Sequence, residues 1–568
     1  MYNHTIIFNA LQRIYHSILL LLFFITPLIS VDAQSFELKI YSKKSTLEKD
    51  LDSILFKNTY LNKYDIYKVV DSISYDFALK GFINNSYLLK EKDTVINCFF
   101  TLNTKIDSVR IFYDQNLIAL NFIKTISNNY TENYFEVHTS DLQKTLNAVS
   151  QYFETKGFSF SKVSLNNLIL KNNKIEADLD LEVSTKRRIN AIFIKGYDDF
   201  PKKYLKHYLD IDANKIFNYR SLLKTQELIN TIPFITQIKN PEVLFTKDST
   251  TLFLYLKKKS ISSFDGIIGF SNEQKSKKIK LNGHLNLLLN NIFNNGESIG
   301  LNWRNTGNEI NILKLSLNTP YILRSKFSAF GSFNIFKQDS TYTNTNNELK
   351  LNYSFNRNQS ISSVFNFENS NTSTPQNTLN FKNYNKIFTG ISYSYLPAII
   401  QNKNHFNLVL SYLIGSRTTK QLKSKQNKAQ FYLEYLIRLN QKNNILIKNS
   451  SEFLNASEIL ENELITIGGV NSIRGFDEFS IPTSKYSITN IEYQFYTNNT
   501  NYVYTIADFA FVKNDFLGIK NNLLGIGLGY SFKSNKSIIN FGYAIGKTNN
   551  QAFKINNAKI HIKFSSYF

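Results

Sequence analysis

From about Ser260 to the end of the chain, apolar side chains recur at every second position, and no stretch after Ala33 is apolar for long enough to cross a bilayer as a helix. Lipid offers backbone groups no hydrogen-bond partners, so only helices and closed barrels span it. A chain with this pattern crosses a membrane as a barrel or not at all. In Leu523–Phe532, residues Leu524, Ile526, Leu528, Tyr530 and Phe532 fall on one face and Gly525, Gly527, Gly529 and Ser531 on the other. The first face suits lipid and the second a tight lumen. Ile539, Phe541, Tyr543 and Ile545 repeat the pattern, as do Ile279, Leu281, Leu285 and Leu287.

Sixteen such segments follow Ser262, opening near residues 262, 278, 296, 308, 325, 345, 359, 385, 404, 428, 443, 486, 502, 521, 536 and 557. A soluble sandwich also alternates, but its polar face meets bulk water and this many strands needs two sheets. The even count is what a closed antiparallel barrel requires. The predicted barrel covers residues 260–568. It ends on Ile560, Ile562 and Phe564 at alternate positions, with Ser566 interrupting before the terminal Phe568.

The start of the chain indicates export. Arg13 and His16 precede the apolar run Ser17–Ile29, and Val31-Asp32-Ala33 offers small residues at a cleavage site before Gln34. Residues 1–33 therefore read as a secretory leader. The single cysteine, Cys98, excludes a disulfide framework and a multi-cysteine metal site. The formal charge of +22 is spread along the chain and never gathers into a basic tract with interleaved aromatics, so nucleic acid is not the expected partner. The charge reflects either compositional bias or contact with an anionic lipid or lipopolysaccharide surface.

Before the barrel a phrase recurs. Val70–Phe82 and Leu146–Phe158 both end Lys-Gly-Phe, and a degenerate third copy, Leu222–Phe234, ends Ile-Pro-Phe; the closing phenylalanines are 76 residues apart each time. The apolar residues have helical spacing, and Gly or Pro stops each helix. In the third copy an extended segment (188–195) and a short helix (201–208) come before, and two alternating segments (238–245 and 250–257) come after. The unit is β-α-α-β-β, giving modules at 34–105, 106–187 and 188–259. The fold expected is thus α+β repeats followed by an all-β sixteen-stranded transmembrane barrel.

The longest interruption of the barrel pattern, about 455–485, contains Gly468-Gly469-Val470-Asn471-Ser472-Ile473-Arg474-Gly475-Phe476. Gly468 and Gly469 permit backbone angles that a side chain forbids, and Arg474 is a permanent cation. On a surface loop this would be an ordinary glycine-rich turn. Folded into a lumen, the arginine needs carboxylate partners, and the strand phases turn Glu492 and Asp508 inward.

These features together resemble the BamA and TamA superfamily of outer-membrane assembly and translocation proteins, and the repeats resemble its periplasmic POTRA modules. The resemblance spans about 35–568. It implies that Arg474 is the lumen-loop arginine, with Asp508 as its partner and Glu492 as a second acceptor. Ile506 and Ala510 stand where the family usually has Phe and Gly. It also implies that Phe564 and Phe568 belong to a C-terminal targeting signal, and that strand one, weakened by Gly266 and Gly269, forms a seam with strand sixteen.

The implied role is a biogenesis factor of the outer membrane. Periplasmic modules would capture unfolded outer-membrane or secreted clients by strand addition, with accessory lipoproteins or a periplasm-spanning protein as further partners. The alternatives are a translocator dedicated to one secreted partner, a lipid-traffic component, and a passive structural barrel. No phosphate-binding loop, zinc-protease pair or hydrolase elbow is present, so no catalytic residue, metal or cofactor is expected.

Overall fold

The computed structural model describes residues 35–42, 56–272, 279–305, 310–339, 341–373, 381–397, 404–420, 422–534 and 537–567. The expected leader, residues 1–33, and Phe568 lie outside them. The chain forms two compact units, residues 1–186 and 187–568.

The first unit holds two sheets. One is built from β1 (Phe36–Ser42), β2 (Thr59–Tyr60), β3 (Ser86–Lys92) and β4 (Val95–Thr101) in the order β2-β1-β4-β3, with α1 (Lys63–Leu79) against it. Ile66, Val70, Ile73 and Phe77 recur at helical spacing on α1 and bury against Leu38, Ile96 and Phe100. Cys98 is fully buried in this core, and burial pushes its thiol up to about 12. It is a packing residue.

The second sheet contains β5 (Ser108–Phe112), β6 (Asn129–Tyr130), β7 (Tyr134–His138), β8 (Lys162–Lys171) and β9 (Lys174–Glu182) in the order β6-β7-β5-β9-β8. Helices α2 (Leu120–Ile126) and α3 (Leu142–Thr155) complete it. The β6–β7 hairpin between the helices is an addition to the β-α-α-β-β order read from the repeat. Its strands are two and five residues long, too short to leave a clear alternation in the sequence.

The recurring Lys-Gly-Phe ends α1 and α3 in the same way. The Phe82 amide donates to the Phe77 carbonyl at 2.9 Å and the Phe158 amide to the Phe153 carbonyl at 3.0 Å. The chain reverses at the glycine and lays the phenylalanine back on the helix.

The second unit opens with β10 (Ala191–Lys195), α4 (Lys203–His207), α5 (Tyr219–Ile229), β11 (Ile235–Phe245) and β12 (Thr250–Lys258), in the sheet order β10-β12-β11. The first strand of each repeat lies parallel to its last: β1 with β4, β5 with β9, β10 with β12.

Sixteen antiparallel strands then close into a barrel. They run Ser263–Asn272, Ile279–Asn290, Ser298–Asn305, Ile310–Thr319, Phe327–Gln338, Tyr342–Ser354, Gln359–Thr372, Tyr384–Tyr395, His405–Thr418, Lys423–Arg438, Asn443–Ala456, Lys485–Tyr496, Tyr502–Asn514, Ile519–Ser534, Ser537–Lys547 and Lys559–Tyr567. Every expected opening falls within five residues of the observed one; the largest difference is at strand ten. Ile526, Leu528, Tyr530, Phe541 and Tyr543 point outward and are exposed, while Gly525, Gly529 and Ser531 are buried inside. No helix among the described residues is long and apolar enough to cross a membrane.

The third repeat docks on two turns of the barrel. Tyr321, in the turn after strand four, joins the core formed by Tyr204, Leu228, Phe234 and Leu254. The Tyr197 hydroxyl donates to Asn294 Oδ1 at 2.7 Å, and Lys203 Nζ to the Pro320 carbonyl at 2.7 Å. These turns mark the module-side end of the barrel, so the 457–484 connection between strands eleven and twelve arises at the opposite mouth.

Candidate functional site: a loop folded into the barrel

The 457–484 connection enters the lumen. Two short strands, Ile465–Ile467 and Ile481–Thr483, pair to form its stem, each too short to show alternation in the sequence. Ile467 and Ile473 pack on the inward-facing Ile488, Ala510, Val512 and Leu523. The wall of the lumen is therefore apolar at this place, and the loop is held there by burial as well as by charge.

At its tip, Arg474 is sequestered between two carboxylates. Its Nε donates to Asp508 Oδ2 at 2.8 Å and its Nη2 to Asp508 Oδ1 at 2.6 Å, the two-pronged geometry of a guanidinium on a carboxylate. Its backbone amide also donates to Asp508 Oδ2, at 2.9 Å, and Nη1 pairs with Glu492. The Asp508 side chain is 0% exposed. A buried carboxylate is tolerable only with its oxygens satisfied, and here three donors from a single residue meet them. The three residues that the sequence reading associated are thus brought into contact.

The chain lies flush on the wall because the wall lacks side chains at that point. A Cβ at Gly525 would sit 2.2 Å from the Arg474 carbonyl oxygen, and one at Gly546 would sit 2.5 Å from the Gly475 oxygen and 2.8 Å from the Phe476 ring. Gly475 itself has φ +89°, a left-handed backbone that disfavours other residues. Its amide donates to His561 Nε2 on strand sixteen at 3.1 Å. Gly468 donates its amide to Ser472 Oγ at 2.7 Å, and Gly469 donates to the Ile473 carbonyl at 3.0 Å, closing the turn before the arginine. Glu478 accepts from the Val470 amide and pairs with Arg304 of strand three at 3.2 Å. Asp477 pairs with Lys559 of strand sixteen at 2.8 Å.

The sequence pattern turns Gly525 and Gly546 toward the lumen without naming the loop as their neighbour, and it does not single out His561. The two glycines alternate with apolar residues on strands fourteen and fifteen, and alternation alone assigns them to the lumen and not to a particular neighbour. Phe564 lies on strand sixteen and is 40% exposed. Gly266 and Gly269 lie in strand one, opposite Leu285 and Asn282 of strand two. Among the described residues, strand one meets strand sixteen through two pairs, Ser263↔Tyr567 and Phe264↔Ser566, where strand one and strand two share ten. No cluster of three or more His, Cys, Asp or Glu among the described residues is placed to hold a metal ion.

Among solved structures, the chain is similar to CdiB from Acinetobacter baumannii, at 16% identity over 82% of this chain and 90% of that one, with a TM-score of 0.52. CdiB from Escherichia coli matches at 12% identity over 89% and 97%, also with a TM-score of 0.52. BamA from Haemophilus ducreyi lacking POTRA domains 1–3 matches at 15% identity over 82% of this chain and 100% of that one, with a TM-score of 0.48. No family model and no curated protein matches the chain. The likeness to CdiB shows a shared fold. A closed barrel of sixteen strands with an apolar exterior is an outer-membrane architecture, which leaves the N-terminal modules in the periplasm.

Proposed function

We propose that this chain is an outer-membrane biogenesis factor whose periplasmic modules capture client polypeptides and whose barrel assists their insertion into, or passage across, the membrane. The observation that carries this reading is the loop: an arginine locked to Asp508 and Glu492 inside a barrel whose first and last strands share two residue pairs. A passive barrel has no use for a buried cation whose assembly requires glycines on two neighbouring strands. Unpaired backbone along strand one is a template for another strand, and the loop rests directly on strand sixteen beside it. Substrate chemistry is polypeptide pairing, and no side chain is assigned a catalytic role.

A loop that enters the lumen also favours a second reading, a translocator dedicated to one secreted partner or to lipid traffic, because it stands on any route through the barrel. Depletion of the protein followed by proteomics of the outer membrane separates the readings. General loss of barrels supports insertion, loss of one exported protein supports dedicated translocation, and an unchanged proteome refutes both.

A further inference from the structure

The loop has a second point of attachment, on the far wall. Before the stem, Glu463 is 0% exposed and sits between Lys386 of strand eight, at 3.2 Å, and Arg417 of strand nine, both 3% exposed. Gln426 Nε2 of strand ten and the Leu460 amide donate to its other lone pairs, at 2.8 and 2.7 Å. Asn462 donates to Ser370 Oγ of strand seven at 2.7 Å. Ile459 and Leu464 pack on the inward-facing Val364, Phe388, Leu413 and Leu454. The connection therefore reaches from strands seven to ten on one side of the lumen to strands twelve to sixteen on the other.

The two attachments differ in how completely they are satisfied. Around Glu463, the atoms Arg417 Nε, Gln426 Oε1, Asn462 Oδ1 and Asn344 Oδ1 are buried without a hydrogen-bond partner from the protein, whereas no side-chain atom of Arg474, Asp508 or Glu492 is left so. A buried network with fewer protein partners gives up fewer protein hydrogen bonds when it opens to water. It also lies at the mouth, where Glu458, the outer partner of Arg417 at 3.2 Å, is half exposed. Arg474 lies deeper and against backbone.

We propose that Glu463, Lys386 and Arg417 form a releasable latch, and that the lumen opens when the loop leaves this wall and pivots about the fixed Arg474 lock. Glu463 is the positioning residue, because it is the single anion shared by both cations. The inference rests on reading the loop as an element of insertion or translocation.

The test is ion conductance of the purified full-length protein in planar lipid bilayers, with folding read by heat-modifiable migration. Glu463→Gln keeps the shape and removes the charge, and the expected result is a folded barrel with conductance raised several-fold above the parent. A folded Glu463→Gln barrel with parental conductance overturns the latch. If that variant does not fold, the charge-balanced Glu463→Gln/Arg417→Gln double variant is measured in its place, because Lys386 then keeps Glu368 at 3.3 Å and the other partner of Arg417, Glu458, is half exposed: raised conductance supports the latch, and parental conductance or failure to fold overturns it. No client is present in the bilayer, so a closed variant refutes the latch without touching the proposed function, while an unchanged proteome on depletion refutes the function without touching the latch.

Discussion

The ring of Tyr204 in the third repeat lies so close to Gly296 in a barrel turn that a Cβ there would come within 2.4 Å of its Cε2 and its hydroxyl oxygen. Gly296 also has φ +70°. Gly296→Val is therefore expected to push the module off the turn, through both backbone strain and collision with the ring. Limited proteolysis of the full-length protein in detergent should show faster cleavage between the module and the barrel, with heat-modifiable migration of the barrel retained. Unchanged cleavage would show that the docking is not held at this point.

Replacing Arg474 by Ala leaves Asp508 buried with both guanidinium donors gone and only the backbone amide of residue 474 still donating to it. Stranding one member of a buried pair costs about 3–5 kcal/mol, so the variant should lose much of its folded fraction or require a lower temperature to unfold. Arg474→Lys keeps the charge but not the planar fork, and an intermediate unfolding temperature is expected. Parental migration and unfolding for both variants would sink the lock.

Gly525→Val and Gly546→Val each place atoms where the loop backbone runs. Both are expected to displace the loop tip while leaving the strands paired, since strand interiors accept valine. The readout is protection of residues 468–476 from hydrogen exchange, which should fall in each variant. Protection that stays at the parental level would mean that the tip is not seated on these strands.

In the second sheet, burial disfavours ionisation of Glu136, but Arg110 and Lys174 outweigh it and hold the carboxyl below its ordinary value. Arg110 Nε donates to Glu136 Oε1 at 2.8 Å. A carboxylate with a depressed folded pKa adds stability above its unfolded value, near pH 4.3 by the usual reference, and that contribution is lost as pH falls through the folded value. Protection of β5 and β7 from hydrogen exchange, taken relative to the intrinsic rate at each pH, should fall on acidification below that range. Glu136→Gln should be less protected at neutral pH and should respond less to acid. Equal acid responses would remove Glu136 from the account.

The barrel was legible because alternation is a local property: Ile526 and Leu528 announce their face whatever they later touch. The Arg474 site was legible in part, because a cation and two carboxylates have few other ways to coexist inside a barrel. The Glu463 cluster was not. Its members come from positions 386, 417, 426 and 463 with no motif among them, and strand periodicity says which side chains face inward but not which walls a loop will bridge. The β6–β7 hairpin escaped for a different reason, since five residues of strand carry too little alternation to stand apart from the helices on either side.

The contacts of Glu478 and Asp477 have a consequence for the circumference of the ring. Glu478 holds Arg304 on strand three at 3.2 Å, while Asp477 holds Lys559 on strand sixteen at 2.8 Å. Adjacent residues of the loop thus stitch across the place where the ring meets itself. Admitting one further strand lengthens the perimeter by about 4.8 Å, a distance that the Arg304 and Lys559 side chains must follow or release. Any widening of the ring there strains these stitches on the inside of the wall.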